Sequence, residues 1–156
     1  MERFFLIIAL FALNTKVSFS QNALATRKIH LNLARKGLAI EGYDPVAYFK
    51  NNKATEGKKE LAVNYEGAIY YFANADNKEA FFKNPLAYEP QYGGWCAYAM
   101  GKNGEKVSVD PETFKIINGK LYLFYNKFFN NTLTSWNKDE TNLKKKADLN
   151  WQKIFR

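Results

Sequence analysis

A thiol, an imidazole, a few carboxylates and a dense group of rings are the side chains here whose chemistry goes beyond packing. Cys96 is the only cysteine, set in PQYGGWCAYA (Pro90 to Ala99). If Gly93-Gly94 turns the chain into a helix, the thiol falls in the first turn, where unpaired N–H groups and the helix dipole favour a thiolate. Such a thiol would bind a soft metal, attack an electrophile or be oxidised. The alternative is a small hydrophobe packed among Trp95, Tyr98 and Met100. No histidine or second cysteine lies near it in sequence to act as base or resolving partner.

His30 is the only histidine and sits in a polar, basic segment, which suits an exposed residue better than a ligand or general base. Asp44 and Asp110 each precede a proline. Two such carboxylates would do acid–base work or hold a hard cation; equally, Asp-Pro starts turns by bonding nearby backbone N–H groups. Tyr88, Tyr92, Trp95 and Tyr98 would line a ligand pocket or build a core. Gly93-Gly94 lacks the further glycines and the lysine-serine of a phosphate loop. The sharpest expectation is that Tyr43, Asp44, Gln91, Tyr92, Trp95 and Cys96 converge on one ligand pocket, with Cys96 a weak metal candidate and no catalytic residue assigned. Functional groups tend to sit on loops held by a rigid scaffold.

The elements that must position these groups are read from period and punctuation. Leu61, Val63 and Tyr65 alternate with polar neighbours, Glu66-Gly67 turns, and Ile69 to Phe72 returns, predicting a β-hairpin. Asn74 or Asp76 opens a short amphipathic helix that Pro85 stops. A second hairpin turns at Asn118-Gly119 between Phe114–Ile117 and Leu121–Tyr125. Two closing helices follow: Phe129, Leu133 and Trp136 at i, i+4 and i+7, then Leu143, Ala147, Trp151 and Ile154 as one stripe. Strands and helices segregate, so the fold expected is α+β: one small domain with two antiparallel hairpins, several short helices and the C-terminal helix packed on the sheet.

The first residues suggest a compartment. Arg3 precedes an apolar run from Phe4 to Leu13, too short to span a bilayer, and Ser18-Phe19-Ser20 offers a small-residue cleavage site. Residues 1–20 are therefore expected to be a signal peptide, 21–36 a flexible lead-in and 37–156 the domain. The product would be extracytoplasmic, periplasmic or secreted, without a membrane span after cleavage. The net charge of +8 comes from scattered lysines, which suits a solvated surface rather than nucleic-acid binding. Aromatics make up 17 % of the chain, enough to build a core from large rings.

The stretch YEGAIYYFANADNKEAFFKNPLAY (Tyr65 to Tyr88) resembles the YHS domain: an aromatic, a glycine turn, a Tyr-x-Phe strand, a helix ending in Phe, then Pro-x-x-Tyr. GYDPVAYF (Gly42 to Phe49) is similar to that family's opening Asp-Pro-Val motif. PQYGGWCAYA, VDPETF (Val109 to Phe114), NGKLYLFYN (Asn118 to Asn126) and KADLNW (Lys146 to Trp151) are similar to an exported bacterial branch of it. Intracellular YHS modules carry cysteines resembling metal ligands at three places, which here hold Ala47, Ala73 and Asn77. None offers a thiolate, so the metal role that the resemblance implies does not carry over at those positions. The expected function is a non-catalytic exported module that binds a small ligand, a metal ion or a protein partner around Cys96. The alternatives are a thiol-dependent redox protein or enzyme using Cys96, with Tyr92 or Asp44 as helper, and a structural envelope protein.

Overall fold

The computed structural model describes residues 25–154; the expected signal segment lies outside them. Residues 25–30 are helical (α1). The chain then makes strands β1 (Leu33–Ala34) and β2 (Leu38–Ala39), helix α2 (Ala47–Asn51), strands β3 (Lys58–Tyr65) and β4 (Ala68–Phe72), and helices α3 (Ala75–Lys83) and α4 (Pro85–Tyr88). Helix α5 (Ala97–Asn103), strands β5 (Asp110–Ile117) and β6 (Lys120–Phe124), the short hairpin β7 (Asn126–Lys127) and β8 (Asn130–Asn131), and helices α6 (Thr132–Trp136) and α7 (Glu140–Ile154) complete it. The architecture is a small α+β domain, as the segregated pattern predicts.

Both expected hairpins form, and turn chemistry is the reason. Glu66 and Gly67 take φ 46° and 84°, Asn118 and Gly119 φ 50° and 69°. Positive φ at both central residues is the type I′ turn that matches strand twist. In β4 the alternation puts Ala68, Tyr70 and Phe72 on the core face. The edge of this sheet differs from expectation: β2 pairs in parallel with β4 through Leu38 and Ile69, and β1 pairs with β2, giving the order β1-β2-β4-β3. The segment expected to be a flexible lead-in is thus built into the domain from residue 25 onward. Leu31 and Leu33 pack on the core, and Arg27 ion-pairs with Glu89 and Glu66.

Asn74 caps α3, its side chain accepting from Asn77 N at 2.8 Å. Pro85 ends that helix and also opens α4 at its first position, where a missing N–H costs nothing. Two clusters form the interior. One gathers Tyr48, Tyr70, Phe72, Phe81, Cys96, Leu121 and Leu123; the other gathers Tyr92, Met100, Tyr122, Phe124, Trp136, Leu143 and Ala147. Helix α7 presents its predicted stripe to the second cluster, covering α5 and the Tyr122 face of the β5–β6 hairpin. The expected helix through Phe129 is not there. Helix α6 starts at Thr132, and Phe128-Phe129 is instead the turn of β7–β8.

Candidate functional site

The six residues expected to share a pocket divide among five places. Cys96 is the residue before α5 rather than a member of its first turn, and it is fully buried. Its Sγ accepts the Tyr125 backbone N–H at 3.4 Å and lies 3.4 Å from Thr132 Oγ1. Thr132 Oγ1 in turn donates to Tyr125 O at 2.8 Å. The thiol therefore clamps the end of β6 to the start of α6. It also borders a cavity of about 270 Å³, with Tyr98, Lys102, Tyr125 and Asn130 around it.

Asp44 is buried at the centre of a different arrangement. Its Oδ1 accepts from Val46 N (2.8 Å) and Ala47 N (3.2 Å), and its Oδ2 from Ala73 N (2.8 Å) and Asn77 Nδ2 (2.7 Å). Four donors satisfy a carboxylate completely, so it is structural rather than available. Ala47 and the distant pair Ala73 and Asn77 meet around this one side chain. Asp110 makes the smaller version of the same turn, accepting from Glu112 N at 3.0 Å and Thr113 Oγ1 at 3.0 Å. Tyr43 is half-buried against the first cluster, its hydroxyl donating to Glu112 at 3.3 Å. Burial, and then the Glu112 carboxylate, hold that phenol above its ordinary range. Trp95 donates its indole N–H to His30 O at 2.7 Å. His30 Nδ1 is 2.9 Å from Lys106 Nζ. Partial desolvation, and then the lysine charge, hold the imidazole below its ordinary range, so Nδ1 acts as acceptor.

Gln91 and Tyr92 alone of the six line a second cavity, about 380 Å³, between residues 27–40 and 86–94. Leu31, Leu33, Ile40, Leu86 and Trp151 supply its apolar walls. Its polar groups come from three segments. Glu89 Oε1 accepts from Arg27 and, at 2.5 Å, from Tyr70 Oη. Arg27 Nε is 3.1 Å from Glu66 Oε2, an ion pair without a hydrogen bond. Burial first, and then Glu89, push the Tyr70 phenol well above its ordinary range.

A left-handed turn forms the wall beside Gln91: Tyr92, Gly93 and Gly94 take φ 55°, 61° and 84°. Gly93 is required there, since a Cβ would lie 2.9 Å from the Trp151 ring and 3.1 Å from His30 O. Tyr92 tolerates the strained backbone because its ring is buried against Tyr122 and Trp151 and its hydroxyl donates to Asp148 at 2.8 Å.

Sequence reasoning missed Arg27, Tyr70 and Glu89 as a group. Arg27 falls in the segment read as a lead-in, and its pairing with Glu89 spans 62 residues. The one local signal was an acidic residue directly before Pro90 in the ring-rich stretch. Among the described residues no group of three or more His, Cys, Asp or Glu is placed to hold a metal ion, and no helix is long and apolar enough to cross a membrane. No protein-family model, curated protein or solved structure matches this chain.

Proposed function

We propose that the protein is an exported, non-catalytic binding module of the YHS type, and that it takes a small, largely apolar ligand into the cavity beside Gln91 and Tyr92. The observation that carries the binding reading is the cavity itself. Its volume, about 380 Å³, falls in the range of small-molecule sites, and apolar walls converge on a few placed polar groups, the usual composition of such a site. The Arg27 and Glu89 side chains, paired with each other, supply the charged part of its lining. The side-chain amides of Gln91 and Asn32 stand at the same cavity.

The YHS reading is supported by Asp44. Ala47, Ala73 and Asn77, the three positions matched to that family's cysteines, share this carboxylate as acceptor. A carboxylate with four donors does there the joining that a bound metal would do, without any thiolate. Export rests on the charged, apolar and small-residue order of residues 1–20. N-terminal sequencing of protein from its own host should find Gln21 at or near the start.

The ligand reading is tested by screening a fragment library against isotope-labelled protein. Binders should perturb the Asn32 and Gln91 amides and the Trp151 indole together. Gln91→Trp, which fills the cavity, should abolish those shifts while leaving the melting temperature unchanged or raised. Hits that cluster elsewhere, or none at all, would refute the site.

A further inference from the structure

Hairpin β7–β8 bears two costs that packing within the chain does not offset. Its two-residue turn is Phe128-Phe129, at φ 52° and 61°. Both values belong to the left-handed region, which Asn and Gly enter readily and a large aromatic residue does not. Both rings also stand in solvent, 90 and 111 % exposed. The other two type I′ turns use Glu-Gly and Asn-Gly.

The base of the hairpin is held firmly. Thr132 N donates to Tyr125 O at 3.0 Å, Asn126 Nδ2 donates to Thr113 Oγ1 at 3.0 Å, and Asn131 caps α6 by accepting from Leu133 N at 3.0 Å. The Cys96–Thr132 contact fixes the same base to the core. The two rings therefore project on a braced stalk.

We propose that this tip inserts Phe128 and Phe129 into the interfacial layer of an anionic lipid bilayer. Two rings bury at most about 150–250 Å² each, roughly half of the ~800 Å² a partner contributes to a stable protein interface. A bilayer accepts a narrow projecting tip because it needs no matching surface. The charge is complementary: the chain carries +8, and Lys127 adjoins the rings, with Lys102 across the cavity that Asn130 borders. Glu105 shares that cavity with Lys102, while Asp110 and Glu112 stand at the far end of β7, beside the Asn126–Thr113 bond. A basic protein is drawn to anionic headgroups before any ring inserts.

The test is flotation of the mature chain, beginning at Gln21, with phosphatidylcholine vesicles, with and without phosphatidylglycerol. Wild type should float with the anionic vesicles. Phe128→Ser/Phe129→Ser should lower the partition coefficient by roughly tenfold or more, and Phe128→Trp/Phe129→Trp should retain it. The serine pair should melt no lower than wild type, since it removes no buried group. Binding that survives the serine pair would belong to another segment and would overturn the proposal. So would absence of binding to either vesicle, or a serine pair that changes only self-association in sedimentation. Equal binding to both vesicles would overturn the anionic preference.

Discussion

At the scale of single residues, the two side chains with the most reactive chemistry are spent on joining segments. Asp44→Ala would leave four donors, two of them on α2's first turn and one at the end of β4, without their acceptor. Each buried donor left unpaired costs about 1–3 kcal/mol, so even with partial relaxation the variant should lose about 3 kcal/mol or more. Urea unfolding with an unchanged m-value would measure it; a loss below about 1 kcal/mol would show the network to be dispensable. Cys96 should resist a small alkylating reagent in the native protein and react once denaturant is added, because Sγ is fully buried and holds Tyr125 N–H. Rapid native alkylation would revive the thiol-dependent reading. The Asp-Pro chemistry of Asp44 was legible in sequence as a turn signal. Its second oxygen was not, because Ala73 and Asn77 reach it from 29 and 33 residues away. Composition and loop-fixing Pro and Gly residues group Tyr43, Trp95 and Cys96 with Gln91 and Tyr92, but neither says which face of a loop a ring takes.

Among elements, the contact of α5 with α7 shows how tightly the second cluster is built. A Cβ on Gly101 would lie 2.5 Å from the Leu143 carbonyl oxygen, and backbone cannot step aside as a side chain tip can. Alanine ordinarily improves a helix by roughly 0.5–1 kcal/mol over glycine, whereas forcing a methyl into a packed contact costs typically 1–3 kcal/mol. The second term wins, so Gly101→Ala should destabilise despite its better helix propensity. Gly119→Ala, with nothing within 4 Å of the new atom, should cost only the left-handed backbone, about 1 kcal/mol. Thermal melts of the two variants side by side would check the order, and a stabilised Gly101→Ala would break the account. Elements carrying their own punctuation were legible: the Glu66-Gly67 and Asn118-Gly119 turns, the Asn74 cap and the α7 stripe. Elements without it were not. The strands β1 and β2 are two residues each and exist only through long-range pairing, β2 with β4 and β1 with β2. The turn of β7–β8 has aromatic residues where turn chemistry predicts Asn or Gly, so helical spacing from Phe129 to Trp136 was the stronger local signal.

The whole molecule is assembled around phenols, and this sets its response to alkali. Tyr48, Tyr70 and Tyr92 are buried in different parts of the two clusters, with their hydroxyls donating to Pro111 O at 2.8 Å, Glu89 at 2.5 Å and Asp148 at 2.8 Å. Burial is the largest cause in each case, and neighbouring carboxylates or phenols add to it, so all three are held well above the ordinary tyrosine range. In the unfolded chain a tyrosine loses its proton near pH 10. Above that pH the unfolded state binds fewer protons than the folded state, so stability falls as pH rises; below it the contribution of these phenols is fully present. Each such tyrosine removes about 1.4 kcal/mol per pH unit above 10, and three together about 4. Against a total stability of roughly 5–15 kcal/mol, the domain should unfold cooperatively about one to four units above that threshold. Phenolate absorbance followed alongside circular dichroism would test this. At least three of the ten tyrosines should ionise only as secondary structure is lost. If all ten titrate reversibly while the fold persists, the interior is wetter than this packing allows, and the phenols are not what closes it.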